Sequence, residues 1–341
     1  MIDLLVAGGG PAGLATAIHA ALNGMEAVVV EPRPGPVDKA CGEGVMPGGV
    51  RSLAGLGVAP AGHPLCGIRY VDGPHRAEAG FRDGTGLGVR RTVLSAALAR
   101  RAADLGVRVV TGRVAGVRQG ADGVTAAGLR ARWLVAADGL HSPVRRALGL
   151  ELPDGRSPRR FGLRRHYRVA PWSDFVEVHW SGTGSGEAYV TPVAGDVVGV
   201  AFLTTSRHPY EVHLGHFPEL AARLEGCAVT SAVRGAGPMR QRVRGRVAGR
   251  VLLVGDAAGY VDALTGEGVS LALASAEAVV RCLRAGRPGA YEREWRRLSR
   301  WHRLLTGALV RVGCRRDTAR LVVPAAARMP PVFAAAVHAL Q

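Results

Sequence analysis

Three glycines near the start of the chain have the types and spacing of a phosphate-binding turn. Gly8, Gly10 and Gly13 form a G-x-G-x-x-G pattern, which follows the apolar run at residues 3–7 and precedes the alanine-rich helical pattern of residues 14–23. In such a turn the first glycine permits the tight bend and the second lets a diphosphate approach the backbone. The third lets helix and strand pack closely. This spacing therefore predicts binding of a diphosphate group.

The elements around this turn place further groups beside the phosphates. Pro11 and Ala12 lie in the turn before the predicted helix, whose N-terminal amides and positive dipole end favour an anion. A second β-branched run at residues 27–30 predicts a parallel strand that ends in Glu31, where a carboxylate can accept hydrogen bonds from ribose hydroxyls. Glycine makes up 48 of 341 residues, so the glycines alone would also suit an ordinary βα turn. The whole sequence of elements predicts a dinucleotide site.

A loop rich in glycine and proline follows, over residues 31–50. Because it leaves the tip of the second strand, we expect it beside the reacting end of the nucleotide. Cys41, Glu43 and Met46 are its side chains with chemical or steric potential. The alternative is that Cys41 fills space and Glu43 is a solvated acid. Arg91, at the start of the next helix, is predicted either as a phosphate ligand or as part of a solvated helix face.

Two later strands also end in small and acidic residues. Asp138 and Gly139 follow a buried strand at residues 133–137, and Gly255 and Asp256 follow another at residues 251–254. Strands parallel to the first would bring both pairs to its nucleotide edge. Beyond Asp256, a glycine turn opens a long helix near Gly268, which predicts a second helix N-terminus aimed at the same edge.

The middle and the end of the chain have different patterns. Residues 159–233 alternate apolar and polar side chains with turns between them, which predicts an antiparallel sheet, with one helix over residues 213–225. This sheet offers five candidates for a pocket: Arg164, Arg165, His166, Tyr189 and Thr191. Residues 290–341 predict amphipathic helices packed on the core; contact with an acidic membrane is a less favoured alternative.

Composition restricts the function classes. The formal charge of +17 comes with a single lysine, Lys39, and 43 arginines, which indicates compositional bias more than nucleic-acid binding. Five scattered cysteines without a CxxC pair indicate neither a disulfide framework nor a metal site. The start of the chain shows no signal peptide, and no apolar run reaches membrane-spanning length, so a cytoplasmic location is predicted. The oligomeric state stays open.

The motifs, in their order, resemble those of FAD enzymes with the para-hydroxybenzoate hydroxylase fold. Within that superfamily, CGEGVMP and GDAAGYVDALTGEG look closest to the geranylgeranyl reductase branch. The resemblance implies an α/β protein with a Rossmann-like FAD-binding domain built on a central parallel sheet. That domain would comprise residues 1–64, 82–155 and 245–288. An antiparallel-sheet substrate domain (65–81 and 156–244) would interlock with it, and C-terminal helices (289–341) would follow.

The same resemblance implies FAD as the cofactor and NAD(P)H as a transient electron donor. Asp138 and Gly139 would belong to the segment that contacts both, and Asp256 would contact the flavin ribityl chain. The predicted cofactor-binding residues are Gly8, Gly10, Pro11, Ala12, Gly13, Glu31, Arg33, Cys41, Gly42, Arg91, Asp138, Gly139, Gly255, Asp256, Gly266, Gly268 and Val269.

Departures from the family patterns guide the choice of reaction. Phenol hydroxylases of this fold carry histidine and proline where this chain has Gly259 and Ala263, and the reductases' aromatic signature is reduced to residues 189–192. Halogenases need a catalytic lysine, and Lys39 lies in the wrong region. We predict an NAD(P)H-driven monooxygenase of an aromatic or polyketide-like molecule, with Glu43 and Tyr189 as catalytic candidates. The alternatives are a reductase of prenyl double bonds and a flavoprotein that binds without turnover.

Overall fold

A computed structural model describes residues 1–153, 155, 158–181 and 186–339 of the chain. Its helices, in chain order, are α1 (Pro11–Leu22), α2 (Pro47–Gly55), α3 (Arg91–Asp104), α4 (Pro143–Ala147), α5 (Tyr210–Leu214), α6 (Pro218–Leu224), α7 (Gly268–Arg284), α8 (Tyr291–Gly313), α9 (Arg316–Arg328) and α10 (Pro330–His338). Short 3₁₀ turns lie at Gly255–Ala258 and Pro288–Ala290.

The strands form two large sheets and two small ones. In chain order they are β1 (Ile2–Ala7), β2 (Ala27–Glu31), β3 (Gly44–Val45), β4 (His63–Leu65), β5 (Gly67–Asp72), β6 (His75–Gly80), β7 (Gly86–Gly88), β8 (Arg108–Thr111), β9 (Arg118–Gln119), β10 (Val124–Ala126), β11 (Leu129–Ala136), β12 (Glu151–Leu152), β13 (Phe161–Arg168), β14 (Phe175–Trp180), β15 (Gly186–Ala194), β16 (Val197–Thr204), β17 (Ala228–Val229), β18 (Arg234–Ala236), β19 (Arg242–Val243), β20 (Val247–Ala248) and β21 (Val251–Leu253).

The first large sheet has the strand order β20-β21-β11-β1-β2-β8, and the pairs from β21 to β8 are parallel. Its central strands are apolar and buried on both faces, as a parallel sheet covered by helices requires. Because parallel strands end at one edge, Ala7, Glu31, Ala136 and Leu253 all deliver their following loops to that edge. The predicted convergence of the three motif segments on one sheet edge is confirmed.

The second large sheet has the order β17-β13-β16-β15-β14-β5-β6, and β18 also pairs with β13. Its pairs are antiparallel, with one exception, β5 beside β14. That parallel pair arises because the chain returns to the first sheet between the two strands, so β14 enters beside β5 in the same direction. The predicted combination of parallel α/β sheet, second sheet and C-terminal helices is confirmed. The exact domain boundaries remain a proposal.

The single helix predicted for residues 213–225 is wrong. The structure has two short helices, α5 and α6, separated by a turn before Pro218. Proline lacks the amide that would continue a helix but suits a first helical turn, so the second helix starts there.

The C-terminal helices cover both halves of the molecule. Helix α8 packs against α7, while α9 and α10 pack on β6 of the second sheet. Among the described residues no single helix is both long and apolar enough to span a membrane, although α9 and α10, bent by 100°, would satisfy the criterion together.

Candidate functional site

A cavity of about 630 Å³ lies where the strand ends of the first sheet meet the second sheet. Glu43 and Tyr189 line it, together with these predicted cofactor residues: Gly8, Gly10, Pro11, Ala12, Glu31, Arg33, Cys41, Gly42, Arg91, Asp138, Gly139, Gly255, Asp256, Gly266, Gly268 and Val269. Of the predicted cofactor-binding residues, Gly13 is the one that does not line the cavity. The structure therefore brings segments far apart in sequence around one space, while the individual roles of these residues stay predictions.

The glycine turn is shaped by contacts that leave no room for side chains. Gly8 has a φ of +105°, and a Cβ there would lie 2.5 Å from the carbonyl oxygen of Ala137. A Cβ on Gly13 would lie 1.8 Å from the carbonyl oxygen of Gly8. Gly13 therefore serves the cavity indirectly, because it lets α1 pack against the turn that forms the cavity wall.

Two helix N-termini at the cavity have unsatisfied backbone donors. Helix α1 begins at Pro11 and α7 at Gly268, and neither has a side-chain cap or an acidic residue in its first turn. The first residues of both helices line the cavity. Free amides and the positive ends of two helix dipoles thus face the same space, which favours an anionic group there.

Glu31 is held as an ionised acceptor at the end of β2. Its Oε2 accepts the backbone N–H of Gly9 at 2.7 Å, and its Oε1 accepts the Nε–H of Arg33 at 2.7 Å. Burial acts to raise the pKa of Glu31, but the hydrogen bonds from Arg33 and Gly9 outweigh it and the pKa is lowered. The carboxylate retains acceptor capacity for hydroxyl groups of a nucleotide.

Buried polar atoms at the cavity wall lack partners among the described residues. They are Nε of Arg91, Nε of Arg164 and Oδ1 of Asp138, and all three residues line the cavity. The other carboxylate oxygen of Asp138 accepts the backbone N–H of Val144 at 3.0 Å, and burial raises the pKa of Asp138. Buried polar groups are normally satisfied, so these orphans indicate a polar ligand. Together with the helix N-termini and Glu31, they fit a dinucleotide such as FAD.

Arg145 ties two of the cavity turns together. Its guanidinium donates to the carbonyl oxygen of Leu140 at 2.9 Å and to those of Asp256 and Ala257 at 3.4 and 3.3 Å. The side chain is fully buried, and its Nη2 also donates to Oε1 of Gln241 at 2.6 Å. The residue holds the turn after β11 against the turn after β21. Sequence reasoning assigned no role to Arg145.

The loop after β2 places Glu43 in a strained and enclosed position. Its φ is +60°, which non-glycine residues rarely adopt, and its side chain is 1% exposed. The interpretation of Glu43 as a solvated acid is therefore wrong. Cys41 precedes it with Sγ 3.4 Å from the Glu43 backbone nitrogen, and burial raises the pKa of the Cys41 thiol. Strain of this kind persists where surrounding contacts over-determine it, often at functional sites.

Strand β13 divides its candidates between two faces. Arg164 and His166 point to the buried face, where His166 Nε2 is 2.5 Å from Oε2 of Glu43. Arg165 points to the opposite face, over the Tyr210 ring. Alternation alone left this choice open, and the approach of the Glu43 loop resolves it.

Strand β15 supplies two anchors for cavity loops. The Tyr189 hydroxyl donates to the carbonyl oxygen of Leu264 at 3.0 Å, and burial raises the pKa of Tyr189 well above its usual value. Thr191 Oγ1 donates to the carbonyl oxygen of Gly42 at 2.8 Å. Both side chains fix loops that form the cavity, and Tyr189 lines it directly.

Lys39 is a cavity residue to which sequence reasoning gave no role. It lines the cavity close to Gly139, where a Cβ would lie 2.7 Å from its Nζ. Burial lowers the pKa of Lys39, an effect that the nearby Asp256 opposes. No local pattern around Lys39 distinguishes it from a solvated lysine, because its burial results from the folding of the loop over the sheet edge.

The part of the cavity that the second sheet lines is mostly apolar. Among the residues that line this part are Leu140, Phe202, Leu203 and Met239. They come from the second sheet and from the connections that reach it, so the cavity joins a polar nucleotide half to a hydrocarbon half. Such a combination suits a bound cofactor facing a largely apolar substrate.

Relatives with curated names include reductases and an oxygenase. The chain is 32% identical over 313 residues to the menaquinone reductase of Mycobacterium tuberculosis strain H37Rv, covering 80% of this chain and 74% of that protein. It is 27% identical to digeranylgeranylglycerophospholipid reductase 2 of Methanosphaera stadtmanae, covering 80% and 75%. It is also 32% identical to the rifampicin monooxygenase of Streptomyces venezuelae, over 168 residues that cover 45% and 35%.

Similar solved structures support the same fold. A geranylgeranyl bacteriochlorophyll reductase-like protein of Thermoplasma acidophilum has a TM-score of 0.81 and 20% identity, covering 99% of this chain and 95% of that one. A halogenase crystallised with phloroglucinol and FAD has a TM-score of 0.77 and 16% identity, covering 92% and 77%. At these identities the likeness concerns the fold alone.

A family model described as the FAD binding domain matches residues 1–184, more than half of the chain, and includes the glycine turn, Glu31 and the turn at Asp138. The long alignments with reductases and the geometry of the cavity agree with that match. The chain belongs to the FAD binding domain family and is an FAD-dependent oxidoreductase.

Proposed function

We propose that this protein is an FAD-dependent reductase that saturates carbon–carbon double bonds of an isoprenoid chain. The observation that carries the proposal is the extent of the alignments. The two reductase relatives align over 80% of the chain, too much to leave out the second sheet, whereas the monooxygenase aligns over 45%. Nucleotide-binding halves are shared by enzymes of many activities, so a similarity that extends into the substrate half says more about the reaction.

The hydrocarbon half of the cavity supports this substrate class. Leu140, Phe202, Leu203 and Met239 offer an apolar wall that suits a prenyl chain, which has few groups able to form hydrogen bonds. When bound, FAD would supply a hydride from its reduced ring. In the polar half, the N-termini of α1 and α7 would hold the negatively charged and ring portions, and Glu31 would hold the ribose. NAD(P)H as electron donor and a cytoplasmic location remain predictions.

The monooxygenase that the sequence favoured is the second candidate. The 32% identity to the rifampicin monooxygenase supports it. The two reactions place opposite demands on the cavity. A double-bond reductase must keep oxygen away from the reduced cofactor, whereas an oxygenase requires oxygen to reach it.

An assay with and without oxygen tests the proposal. FAD-loaded protein is reduced with dithionite under anaerobic conditions, mixed with geranylgeranyl lipids, and analysed by mass spectrometry. We expect products that have gained two hydrogens, with or without air. A parallel reaction contains NADPH, labelled dioxygen and an aromatic polyketide panel. Label in an aromatic product, together with unchanged isoprenoids, would contradict the proposal and support the oxygenase.

A further inference from the structure

We propose that the outward-facing side of helix α8 binds the surface of an anionic membrane. We call this side the α8 outer face, and it consists of Trp301, Leu304, Ala308 and Val312 with Arg297, Arg300 and Arg311 along it. The proposal goes beyond the reaction proposed above, because membrane binding can be measured without turnover.

Helix α8 presents two opposite sides that differ in their surroundings. Its inner side is buried against the protein through Trp295, Ser299, His302, Thr306 and Gly313. The apolar residues of the outer face follow one another at intervals of three and four residues, so they share the opposite side of the helix. All of them are exposed. Packing on the core therefore accounts for the inner side and leaves an apolar stripe in water.

Exposed apolar side chains are concentrated in this part of the molecule. Among the described residues, six of the eleven large apolar side chains that are exposed lie between residues 301 and 332. Trp301 and Leu304 are 57% and 55% exposed, and the other four tryptophans are buried or half-buried. Single exposed apolar residues are normal, whereas a concentration of them indicates an interaction surface.

The charge of the segment indicates the kind of partner. Residues 296–328 contain nine arginines and one aspartate. Arg300 and Arg311 are exposed, and the Arg300 guanidinium carbon lies 5.6 Å from the centroid of the Trp301 ring. Arg297 is paired with Glu294 at 3.3 Å, but its side chain is 70% exposed and such surface pairs are weak. Arginines beside an apolar stripe match the anionic headgroups and acyl chains of a membrane surface.

Two other occupants match the α8 outer face less well. A second copy of the chain would bring the same arginines against it, and repulsion between like charges opposes that contact. A nucleic acid would pair with the arginines and stack on Trp301, but it would leave Leu304 and Val312 without an apolar partner. An anionic membrane satisfies both the charges and the apolar stripe.

The inner side of α8 is held against a loop of the cavity. Nδ1 of His302 is 2.9 Å from Oε2 of Glu267, and Oγ1 of Thr306 is 2.9 Å from Oγ1 of Thr265. Thr265 and Glu267 flank Gly266, which lines the cavity. One helix diameter, about 10 Å, therefore separates a membrane on the outer face from this loop. Such a position brings the cavity close to an isoprenoid substrate that is dissolved in lipid.

Vesicle sedimentation provides the first test. FAD-loaded full-length protein is mixed with vesicles of phosphatidylcholine, with or without about one third phosphatidylglycerol. We expect binding to the anionic vesicles that weakens as salt is added. The double variant Trp301→Ser with Leu304→Ser should lower the partition coefficient by about tenfold or more, because it removes apolar area that enters the lipid. Arg300→Gln with Arg311→Gln should weaken binding to the anionic vesicles by about tenfold.

Each of these double variants has a matched control elsewhere on the surface. Leu22→Ser with Val229→Ser also removes two exposed apolar side chains, and Arg118→Gln with Arg130→Gln lowers the net charge by the same amount. We expect both controls to stay within about twofold of the wild-type partition coefficient. Melting temperature and FAD content verify that every variant is folded. Absence of binding to anionic vesicles, or an equal loss in the outer-face variants and their controls, would overturn the proposal.

Fluorescence quenching tests whether the apolar stripe enters the lipid. Brominated acyl chains in anionic vesicles quench a tryptophan that reaches the hydrocarbon boundary. We expect quenching of the wild-type protein and its loss in Trp301→Phe, which keeps an aromatic ring and should still bind. Binding without quenching would contradict the proposal, since it would indicate a purely electrostatic contact. A wild-type dimer in the absence of lipid that Trp301→Ser with Leu304→Ser converts to a monomer would instead assign the face to a contact between copies.

Turnover with a substrate held in the membrane tests the consequence for the reaction, and this measurement alone rests on the proposed reductase function. FAD-loaded protein is reduced with dithionite and mixed anaerobically with an isoprenoid alkene, and reoxidation of the flavin is followed in a single turnover. For Trp301→Ser with Leu304→Ser we expect reoxidation to slow by about tenfold with the alkene in anionic vesicles and to keep its wild-type rate with the alkene in detergent micelles. Equal slowing in both forms would contradict a role in membrane contact. If the wild-type protein reduces the alkene in neither form, the reductase function fails, and vesicle binding still decides whether the α8 outer face is a membrane surface.

Discussion

Two buried glutamates in this protein have similar surroundings and different consequences. The side chains of Glu43 and Glu187 are 1% and 2% exposed, respectively. Glu43 lies near Arg164 of β13, and Glu187 contacts Arg160, the residue just before β13. Glu187 pairs with Arg160, which also lies 3.6 Å from Asp262. Glu43 lines the cavity, whereas neither Glu187 nor Arg160 does. The carboxylate of Glu43 can therefore contact a ligand in the cavity. Glu187, Arg160 and Asp262 form a cluster enclosed by protein, which we call the sealed cluster.

The balance of charges differs as well. In the sealed cluster two carboxyls share one guanidinium, and burial raises the pKa of Glu187 to about 7 and also raises that of Asp262. At Glu43 a histidine, a backbone amide and Arg164 surround a single acid. Burial of an acid is therefore no indication of function by itself. The partners of the acid and its access to the cavity distinguish a structural cluster from an acid that a ligand can reach.

The largest expected effect comes from breaking the sealed cluster. Arg160→Met leaves Glu187 and Asp262 buried without their cation, and we expect the free energy of unfolding to fall by about 3–5 kcal/mol. Urea unfolding followed by circular dichroism measures it. The double variant Arg160→Met with Glu187→Gln should recover part of the loss, because it removes one uncompensated charge. A loss below about 1 kcal/mol would show that the cluster is hydrated and not sealed.

The pH dependence of stability follows from Glu187. Its pKa in the folded protein, about 7, lies above the ordinary value of 4.5, so the folded state holds the proton more tightly. The stabilising contribution is complete below the ordinary value and is lost as the pH rises through 7, by at most about 3 kcal/mol. Unfolding at several pH values between about 5 and 8 measures it, and Glu187→Gln should flatten the curve. Equal slopes in both proteins would contradict the assignment.

Glu31 extends the comparison to an acid that is held ionised. Its hydrogen bonds from Gly9 and Arg33 lower its pKa, the opposite of Glu187. Glu31→Ala should weaken FAD binding by about 1.5–3 kcal/mol, roughly ten- to a hundredfold, through lost bonds to a charged acceptor. Fluorescence titration of the FAD-free protein measures the affinity. Unchanged affinity would leave Glu31 with the structural role of closing the turn at Gly9, and Glu187→Gln serves as the control outside the cavity.

Sequence reasoning predicted the nucleotide half well for a physical reason. The glycine turn, Glu31 and Asp138 lie at strand ends, and parallel pairing brings strand ends together whatever the rest of the chain does. The partners of Glu43 could not be predicted in this way. They depend on which face of β13 meets the Glu43 loop, and Glu43 precedes His166 by 123 residues. An alternating pattern does not specify that face. The break between α5 and α6 could have been predicted from the sequence, because Pro218 begins the second helix.

The smallest expected effects come from a matched pair of glycines beside the two acids. A Cβ on Gly199 would lie 3.0 Å from Oε2 of Glu43, and one on Gly313 would lie 3.2 Å from Oε1 of Glu187 and 2.8 Å from the Trp180 ring. Gly313→Ala should cost about 1–2 kcal/mol of stability by overpacking and leave alkene reduction unchanged. Gly199→Ala should cost less than about 1 kcal/mol, because the carboxylate can shift, yet slow alkene reduction by disturbing the contact with His166. Thermal unfolding and single-turnover reoxidation, measured on both variants, test the contrast. If both glycine variants change stability and turnover alike, the distinction between the enclosed Glu187 and the cavity-facing Glu43 is wrong.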